Sequence, residues 1–345
     1  MKAAGFYENG GPEKIQLLDV SQPTTNTGQV LVNVKACGLN YFDLQVLREA
    51  DINAIPLPFW GGAEIAGVIA EVGENVDQFK PGDRVVVNPG LFCGRCKYCV
   101  AGEESLCVEF GIIGDSVRGG FAEYVAVPAS NLLLLPESFS YEDAAAVPLV
   151  FQTAWRAVIS QAKVRPGEDV LILGASGGVG TAAIQIAKLA GARVIAITSS
   201  EEKMLQVKNL GADIALDRNE ADYWEQLSQL TNQHGVDVVI ENVGAATWSN
   251  SINSLAKGGR LVTYGRTTGR LAETDIPKIF WRQLHIIGTT MANRNEFNEV
   301  MKLVFNGKLQ PVIDKIFSLA DAHKAYQRLQ DGQHFGKIII KTNNG

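Results

Sequence analysis

The pattern of hydrophobic and polar residues changes character after Pro136. Before this point, short β-patterned runs are separated by turns rich in Gly and Pro, and the clearest runs are residues 30–34, 67–72 and 84–87. Short alternating runs bounded by such turns are typical of a barrel or a folded sheet. The sequence therefore predicts that the first third of the chain is rich in β-structure.

After Pro136, apolar strands alternate with helical stretches. The pattern predicts helices over 141–160 and 181–190, and strands at 169–173, 193–197, 237–240 and 260–264. Continuous apolar strands that alternate with helices indicate a parallel sheet covered on both faces. The tail mixes a helix, a break at Pro311 and a last strand at 337–340, which we expect to return to the first domain.

A glycine-rich turn lies where the predicted strand 169–173 ends and the next helix begins. Small residues at such a point let backbone N–H groups approach a pyrophosphate at the positive end of the helix. Glycines also form tight turns and helix stops, but here strand, turn, helix and second strand follow in a unit of the expected size. The predicted dinucleotide contacts are Gly174, Ser176, Gly177, Gly178, Val179 and Gly180.

The end of the second strand bears on the choice of nicotinamide cofactor, because NAD-specific folds place an acid there against the ribose 2′-OH. Here the strand ends in three hydroxyl residues, and the ammonium of Lys203 follows. Hydroxyl and ammonium groups would bind a 2′-phosphate. The same stretch can start a helix, with Ser199 and Glu202 as a capping box, and Glu201 lies near the usual distance of a ribose-binding acid. The predicted cofactor is NADP(H), held by Thr198, Ser199, Ser200 and Lys203.

Cys93, Cys96, Cys99 and Cys107 have the spacing C-x2-C-x2-C-x7-C within a loop-like stretch. Four thiolates complete a tetrahedral Zn²⁺ and leave no open coordination position, so such a metal stabilises a lobe and performs no chemistry. Disulfides are less favoured in a chain otherwise poor in cysteine. A bacterial iron–sulfur motif closes with a shorter gap and a proline, whereas Val108 follows here. We therefore predict one structural zinc per chain.

Composition and charge exclude several classes of function. The 345 residues suit two domains. The chain has 31 Lys and Arg against 37 Asp and Glu, a net charge of −6, and no basic run that could grip a phosphate backbone, so no nucleic-acid partner is expected. The N-terminus lacks the apolar core of a signal peptide and no apolar run could span a bilayer, which predicts a cytoplasmic protein without a membrane partner.

Taken together, these features resemble the medium-chain dehydrogenase/reductase superfamily, which includes zinc alcohol dehydrogenases and quinone oxidoreductases. The matching motifs are GAEIAG at 62–67, VGENV at 72–76, PGDRV at 81–85, the four-cysteine lobe and GGFAEY at 119–124. The resemblance implies an α/β fold with two domains. A GroES-like β-rich catalytic domain would comprise residues 1–149 and 291–345, with a zinc lobe at about 88–110. A Rossmann domain with a doubly wound parallel sheet would comprise 150–290. The family also implies a homodimer or homotetramer.

The chain departs from the alcohol dehydrogenases at their catalytic zinc. In that family the metal is held by cysteine in a C-G-x-C-H-T-D motif, by histidine in G-H-E, and often by a later cysteine or acid. The matching positions here hold Asn40, Ala63 and, nearby, Leu149. Because alanine and leucine carry no metal donor, no catalytic zinc is expected. Without a Lewis acid the alkoxide of a simple alcohol is not stabilised, which favours reduction of an already polarised acceptor.

The stretch Leu-Asn-Tyr-Phe-Asp at 39–43 resembles the quinone oxidoreductase and enone or enoyl reductase branches, which use NADPH without a catalytic metal. The resemblance implies a small electrophilic substrate, such as a quinone, enone or enal, and hydrogen-bond donors for the developing enolate. Asn40 and Tyr41 are the candidate donors, although turn capping by Asn40 and packing by Tyr41 are equally good explanations. We expect Asp43 and Glu64 to anchor backbone N–H groups or to pair with arginines.

Two other functions remain open at this stage. One is an NADPH-dependent aldehyde or ketone reductase that polarises its carbonyl by hydrogen bonds alone. The other is a non-catalytic NADPH-binding protein with a structural or regulatory role.

The spare thiol of Cys37 is expected to be packed in the core and not to react.

Overall fold

The structure is a computed structural model that describes residues 1–49 and 55–342. The chain divides into two compact units. Unit 1 contains Met1–Leu149 and Asn293–Gly345, and unit 2 contains Val150–Ala292. Within the described residues, no helix has both the length and the apolar character needed to cross a membrane.

The N-terminal part of unit 1 is mainly β-structure. Its strands are β1 (Lys2–Gly5), β2 (Gln16–Asp19), β3 (Gln29–Leu39), β4 (Glu64–Val72), β5 (Arg84–Val87), β6 (Gly90–Leu91), β7 (Gly111–Ile112), β8 (Tyr124–Pro128) and β9 (Leu132–Leu134), and its helices are α1 (Tyr41–Glu49), α2 (Lys97–Val100) and α3 (Tyr141–Ala144). β3 is longer than the predicted run because it also pairs with β8 along its first half and bends at register shifts against β4. Its buried side chains belong to the main apolar core of unit 1.

Unit 2 contains a six-stranded parallel sheet. Its elements are α4 (Pro148–Trp155, which begins two residues before the unit), β10 (Asp169–Ile172), α5 (Gly178–Leu189), β11 (Arg193–Thr198), α6 (Glu201–Asn209), β12 (Ile214–Asp217), α7 (Tyr223–Leu230), β13 (Val236–Glu241), α8 (Trp248–Ser254), β14 (Leu255–Thr263), α9 (Ile276–Arg282) and β15 (His285–Gly288). The strand order is β12-β11-β10-β13-β14-β15, and every neighbouring pair is parallel. This is the doubly wound order, in which the strand sequence reverses between β10 and β13 and ligands bind beyond the carboxyl ends.

The single helix predicted over 141–160 is wrong. The structure has α3, a break, and then α4, which begins at Pro148. Proline lacks a backbone N–H and suits the first position of a helix, so it starts α4 where the pattern predicted continuity. After Trp155 the chain continues as a π-helical segment, Arg156–Gln161.

The C-terminal part of the chain completes unit 1. It forms α10 (Arg294–Phe305), β16 (Ile313–Ser318), α11 (Ala322–Gln330) and β17 (Lys337–Lys341). β17 pairs antiparallel with the second half of β3, so that Ile338 lies opposite Leu39. The prediction that the last strand returns to the first domain is therefore confirmed. The large sheet of unit 1 has the order β16-β17-β3-β4-β5-β9, with β8 also on β3.

Candidate active site and zinc lobe

The four cysteines converge in a small lobe of unit 1. Their Sγ atoms all lie within 4.8 Å of one another, and the Cys96–Cys99 and Cys93–Cys107 separations are 3.6 and 3.5 Å. All four are free thiols. Zinc bound to four thiolates at about 2.3 Å holds the sulfur atoms about 3.8 Å apart. The cluster therefore suits one tetrahedral Zn²⁺.

Backbone hydrogen bonds favour the thiolate form of Cys96, whereas desolvation raises the pKa of Cys99 to about 12. The N–H groups of Cys93 and Glu109 donate to Cys107 Sγ, both at 3.3 Å. Hydrogen bonds from the backbone of Cys99 and Val108 lower the pKa of the Cys96 thiol to about 6. A thiolate is the form of cysteine that binds a metal, so these contacts suit a zinc site.

The glycine-rich turn of unit 2 has the backbone geometry that a phosphate requires. Gly174 has φ +58°, and a Cβ there would lie 2.7 Å from Asn242 Oδ1. A Cβ on Gly180 would lie 2.4 Å from Gly174 O, so neither position accepts a side chain. Helix α5 begins at Gly178, and its N-cap residue, Gly177, offers no side-chain cap. The first N–H groups of α5 have no side-chain cap and suit an anion.

At the tip of β11, the structure corrects one prediction. The capping box of Ser199 and Glu202 is wrong, because Ser200 is the N-cap of α6 and its Oγ accepts from Lys203 N at 3.2 Å. The helix therefore starts one residue later, and a lysine occupies the third position, where a capping box needs an acid. Thr198 is the last residue of β11 and is buried. Arg218, which the sequence pattern did not indicate as a residue of this strand tip, also lies here, because its backbone N–H donates to Thr198 O at 2.8 Å.

Several buried polar atoms at the carboxyl edge of the unit 2 sheet have no hydrogen-bond partner among the residues that the structure describes. They are Thr198 Oγ1 at the end of β11, Asn242 Oδ1 after β13, Tyr264 OH after β14 and Thr289 Oγ1 after β15. Buried polar atoms in native proteins are nearly always paired, and unpaired atoms require an explanation. Their shared position at the ligand-binding edge of a doubly wound sheet fits a polar ligand such as a dinucleotide.

In unit 1, a buried ion pair lies beside the predicted donor Asn40. Glu64, the first residue of β4, is fully buried, and Lys337, the first residue of β17, is 3% exposed. Their charged groups are in direct contact. Lys337 Nζ also donates to Leu39 O at 2.7 Å and to Asn40 Oδ1 at 2.6 Å. Glu64 therefore pairs with a lysine, where the sequence suggested an arginine, and it also anchors a backbone N–H group, that of Leu149, as expected.

Glu64 also contacts the residues at the positions that hold catalytic zinc in alcohol dehydrogenases. Its Oε2 accepts from Asn40 Nδ2 at 3.0 Å, and its Oε1 accepts from the backbone N–H of Leu149 at 2.8 Å. Ala63, adjacent to Glu64, is fully buried. The amide of Asn40 is thus bound at both ends, to Glu64 and to Lys337.

Asp43 holds the turn into α1 by accepting from two backbone N–H groups. Asp43 Oδ2 accepts from the N–H of Asn40 at 2.8 Å, and Oδ1 accepts from the N–H of Gly62 at 2.9 Å. Burial raises the pKa of Asp43 to about 6, and the backbone hydrogen bonds oppose this shift. Tyr41 is the first residue of α1 and packs, half-buried, against the core of unit 1. Within this turn the Asn40 side chain makes one long contact, from Nδ2 to Gly38 O at 3.5 Å. Cys37 is fully buried, as expected.

Comparisons with known proteins identify the family. The model for the alcohol dehydrogenase GroES-like domain matches residues 26–137, and the zinc-binding dehydrogenase model matches 178–306. The NAD-dependent alcohol dehydrogenase of Sulfolobus acidocaldarius is 36% identical over 349 residues, which cover 99% of this chain and 100% of that protein. The acryloyl-coenzyme A reductase of Metallosphaera sedula is 33% identical over 334 residues, or 96% of this chain and 98% of that protein.

A solved structure extends the likeness to three dimensions. A crystal structure of an NAD-dependent alcohol dehydrogenase is 40% identical and has a TM-score of 0.94, with 99% of this chain and 100% of that chain covered. The chain therefore belongs to the medium-chain dehydrogenase/reductase superfamily. It is an oxidoreductase of this type with GroES-like and Rossmann domains. Its cysteine cluster supports a structural zinc, and its family supports a nucleotide cofactor.

Proposed function

We propose that this protein is an NADPH-dependent reductase that transfers hydride to the activated double bond of an α,β-unsaturated carbonyl or to a quinone, without a catalytic zinc. The observation that carries the proposal is the chemistry at the three zinc-ligand positions. Ala63 and Leu149 offer no side-chain donor, and the Asn40 amide is bound to Glu64 and Lys337. The similarity to an acryloyl-coenzyme A reductase supports the same class of substrate.

Different residues would bind the cofactor and stabilise the charge that develops in such a reaction. The N–H groups of the turn from Gly174 to Gly180 would bind the pyrophosphate. The bound dinucleotide would supply the hydride to the electron-poor carbon of the substrate. Negative charge then develops on the substrate oxygen, and a preorganised donor such as the Tyr41 hydroxyl would stabilise it. A water or hydroxyl group would return the proton to the neighbouring carbon, which completes the reduction.

The two candidate donors differ in their position and in the contacts that Asn40 makes. The Asn40 amide already bonds to Glu64 and Lys337, so its role in the proposal is to keep the end of β3 and the start of α1 in place. Tyr41 follows directly, at the first position of α1. Because both ends of the Asn40 amide are engaged, the proposal assigns the substrate oxygen to the Tyr41 hydroxyl.

The preference for NADPH rests on the tip of β11. This strand ends in Thr198, whose hydroxyl cannot repel a 2′-phosphate as an acid would, and the first turn of α6 contains Lys203. Arg218, which is exposed, adds a second cation after the neighbouring strand β12. Cations and hydroxyls of this kind bind phosphate by charge-assisted hydrogen bonds. Because a relative is named an NAD-dependent enzyme, NADH is the alternative cofactor. A binding experiment must therefore compare the affinities of NADPH and NADH.

An assay with paired substrates tests the proposed reaction. The purified protein is given NADPH and either an enone or a saturated ketone of matched size, with and without prior chelation of accessible metal. We expect NADPH consumption with the enone, little with the ketone, and turnover that survives chelation. Preferential reduction of the ketone would instead support the carbonyl reductase suggested by the alcohol dehydrogenase relatives, and tight NADPH binding without turnover would support a non-catalytic role.

Assembly and location are part of the same proposal. Strand β15 is the last strand of the unit 2 sheet, and the preceding α9 exposes Phe280 and Trp281, at 58% and 77%. An open sheet edge beside exposed aromatic residues suits a second copy of the chain, which supports a homodimer. Sedimentation of the protein as a monomer at micromolar concentration would contradict it. The free thiols support the expected cytoplasmic location.

A further inference from the structure

The hydroxyl of Tyr264 is the most informative of the unpaired polar atoms in unit 2. Tyr264 directly follows β14, and its backbone N–H donates to Glu241 O at 3.2 Å, which holds the residue beside the end of β13. Its OH is buried and has no hydrogen-bond partner within residues 1–49 and 55–342. Burial and the nearby Glu241 raise the pKa of Tyr264 above its usual range, so the phenol stays neutral and can both donate and accept a hydrogen bond.

The strand order places Tyr264 and Thr198 on opposite sides of the glycine-rich turn. The turn follows β10, Thr198 ends the neighbouring β11, and Tyr264 follows β14, which is two strands away on the other side. With neighbouring strands about 4.8 Å apart, these two strands are separated by on the order of 14 Å. In a doubly wound fold the pyrophosphate lies at the turn and the adenosine ribose lies at the tip of the second strand. The other half of the dinucleotide must then lie over β13 and β14.

We propose that the Tyr264 hydroxyl binds the nicotinamide half of the dinucleotide by a hydrogen bond, while Thr198 contacts the adenosine half. The inference rests on the proposed binding of a nicotinamide dinucleotide. Each hydroxyl gains the partner that it lacks, and Asn242, whose Oδ1 packs beside Gly174, lies between them at the turn. Tyr264 thereby becomes a cofactor-binding residue outside the glycine-rich motif.

Ligands that correspond to each half of the cofactor (half-cofactors) distinguish the role of Tyr264 from that of Thr198. Binding of NADPH, of reduced nicotinamide mononucleotide and of adenosine 2′,5′-bisphosphate is measured by calorimetry for the wild type, Tyr264→Phe and Thr198→Val. We expect Tyr264→Phe to bind NADPH and the mononucleotide about 3- to 10-fold more weakly, the effect of one neutral hydrogen bond, and to bind the adenosine bisphosphate normally. Thr198→Val should show the reverse pattern. Both variants keep the size of the side chain, and the unaffected half-cofactor reports that each is folded.

Unchanged NADPH affinity in Tyr264→Phe would overturn the assignment, and so would an equal loss for the adenosine bisphosphate. If the wild type prefers NADH, the choice of NADPH is wrong, but the same comparison with NADH and ADP still decides the role of Tyr264. If the wild type binds neither dinucleotide, the proposed function and this inference both fail.

Discussion

Replacing Lys337 with methionine tests the importance of the buried ion pair in unit 1. Methionine fills a similar volume but removes the charge that faces Glu64, which is fully buried. It also removes the donor to Leu39 O and Asn40 Oδ1. Breaking one side of a buried pair costs about 3–5 kcal/mol, because an uncompensated charge remains. For a domain of this size, that loss lowers the melting temperature by on the order of 10 °C.

The effect is measured by urea unfolding, followed by far-UV circular dichroism, on zinc-loaded protein. Lys2→Met is the matched control, because Lys2 forms a 2.7 Å pair with Asp19 whose side chains are 47% and 79% exposed. An exposed pair contributes about 1 kcal/mol or less, so this variant should resemble the wild type. The double variant Lys337→Met/Glu64→Gln removes both charges and should regain about 1–3 kcal/mol over Lys337→Met alone. Strictly additive losses, or a Lys337→Met variant as stable as Lys2→Met, would refute the role assigned to the pair.

Four further outcomes are expected. Elemental analysis should find one zinc per chain, and Cys96→Ser should lose it together with stability; two tightly held zincs would contradict the proposal. Lys203→Ala should weaken NADPH binding by about 1.5–3 kcal/mol and leave NADH unchanged in calorimetry, whereas Lys208→Ala, at the far end of α6, should change neither. Tyr41→Phe should lower kcat and kcat/KM together by roughly 10²–10³ with an enone, and normal kinetics would remove the residue from the mechanism. Since the folded-state pKa of Asp43 is raised from 3.8 to about 6, the folded protein binds the extra proton between these values. Its free energy of unfolding should therefore fall by up to about 3 kcal/mol as pH rises from 4 to 6, and equal pH slopes for wild type and Asp43→Asn in urea titrations would argue against this.

Local patterns in the sequence predicted most of the fold. The strands of unit 2 were recognisable because both faces of a parallel sheet are covered, which makes each strand continuously apolar. The cysteine cluster was recognisable because its ligands are close in sequence, so their spacing fixes their geometry. The helix over 141–160 was mispredicted because its apolar pattern continues through Pro148, where the structure begins a new helix.

The contacts around Asn40 could not be predicted from local pattern. Lys337 and Asn40 are 297 residues apart, and no periodicity links them. One signal was present in retrospect, since Lys337 opens a strand that continues as Ile338, Ile339 and Ile340. A lysine in a strand that is otherwise apolar requires a buried acceptor, and Glu64 provides it. Likewise, the role inferred for Tyr264 depends on which atoms lack partners, and this is visible only after the chain has folded.

The origin of unit 1 from both ends of the chain has a consequence for its synthesis on the ribosome. Leu39 and Lys337 are 298 residues apart, so at about 5–20 residues per second the ribosome adds Lys337 about 15–60 s after Leu39. Val150–Ala292 can fold only near the end of that interval, after Ala292 has been added, and even then the second half of β3 has no β17 beside it and Glu64 has no ammonium to neutralise it. An exposed strand edge of this kind invites pairing with other chains. The nascent protein is therefore most exposed to aggregation just before its last strand emerges.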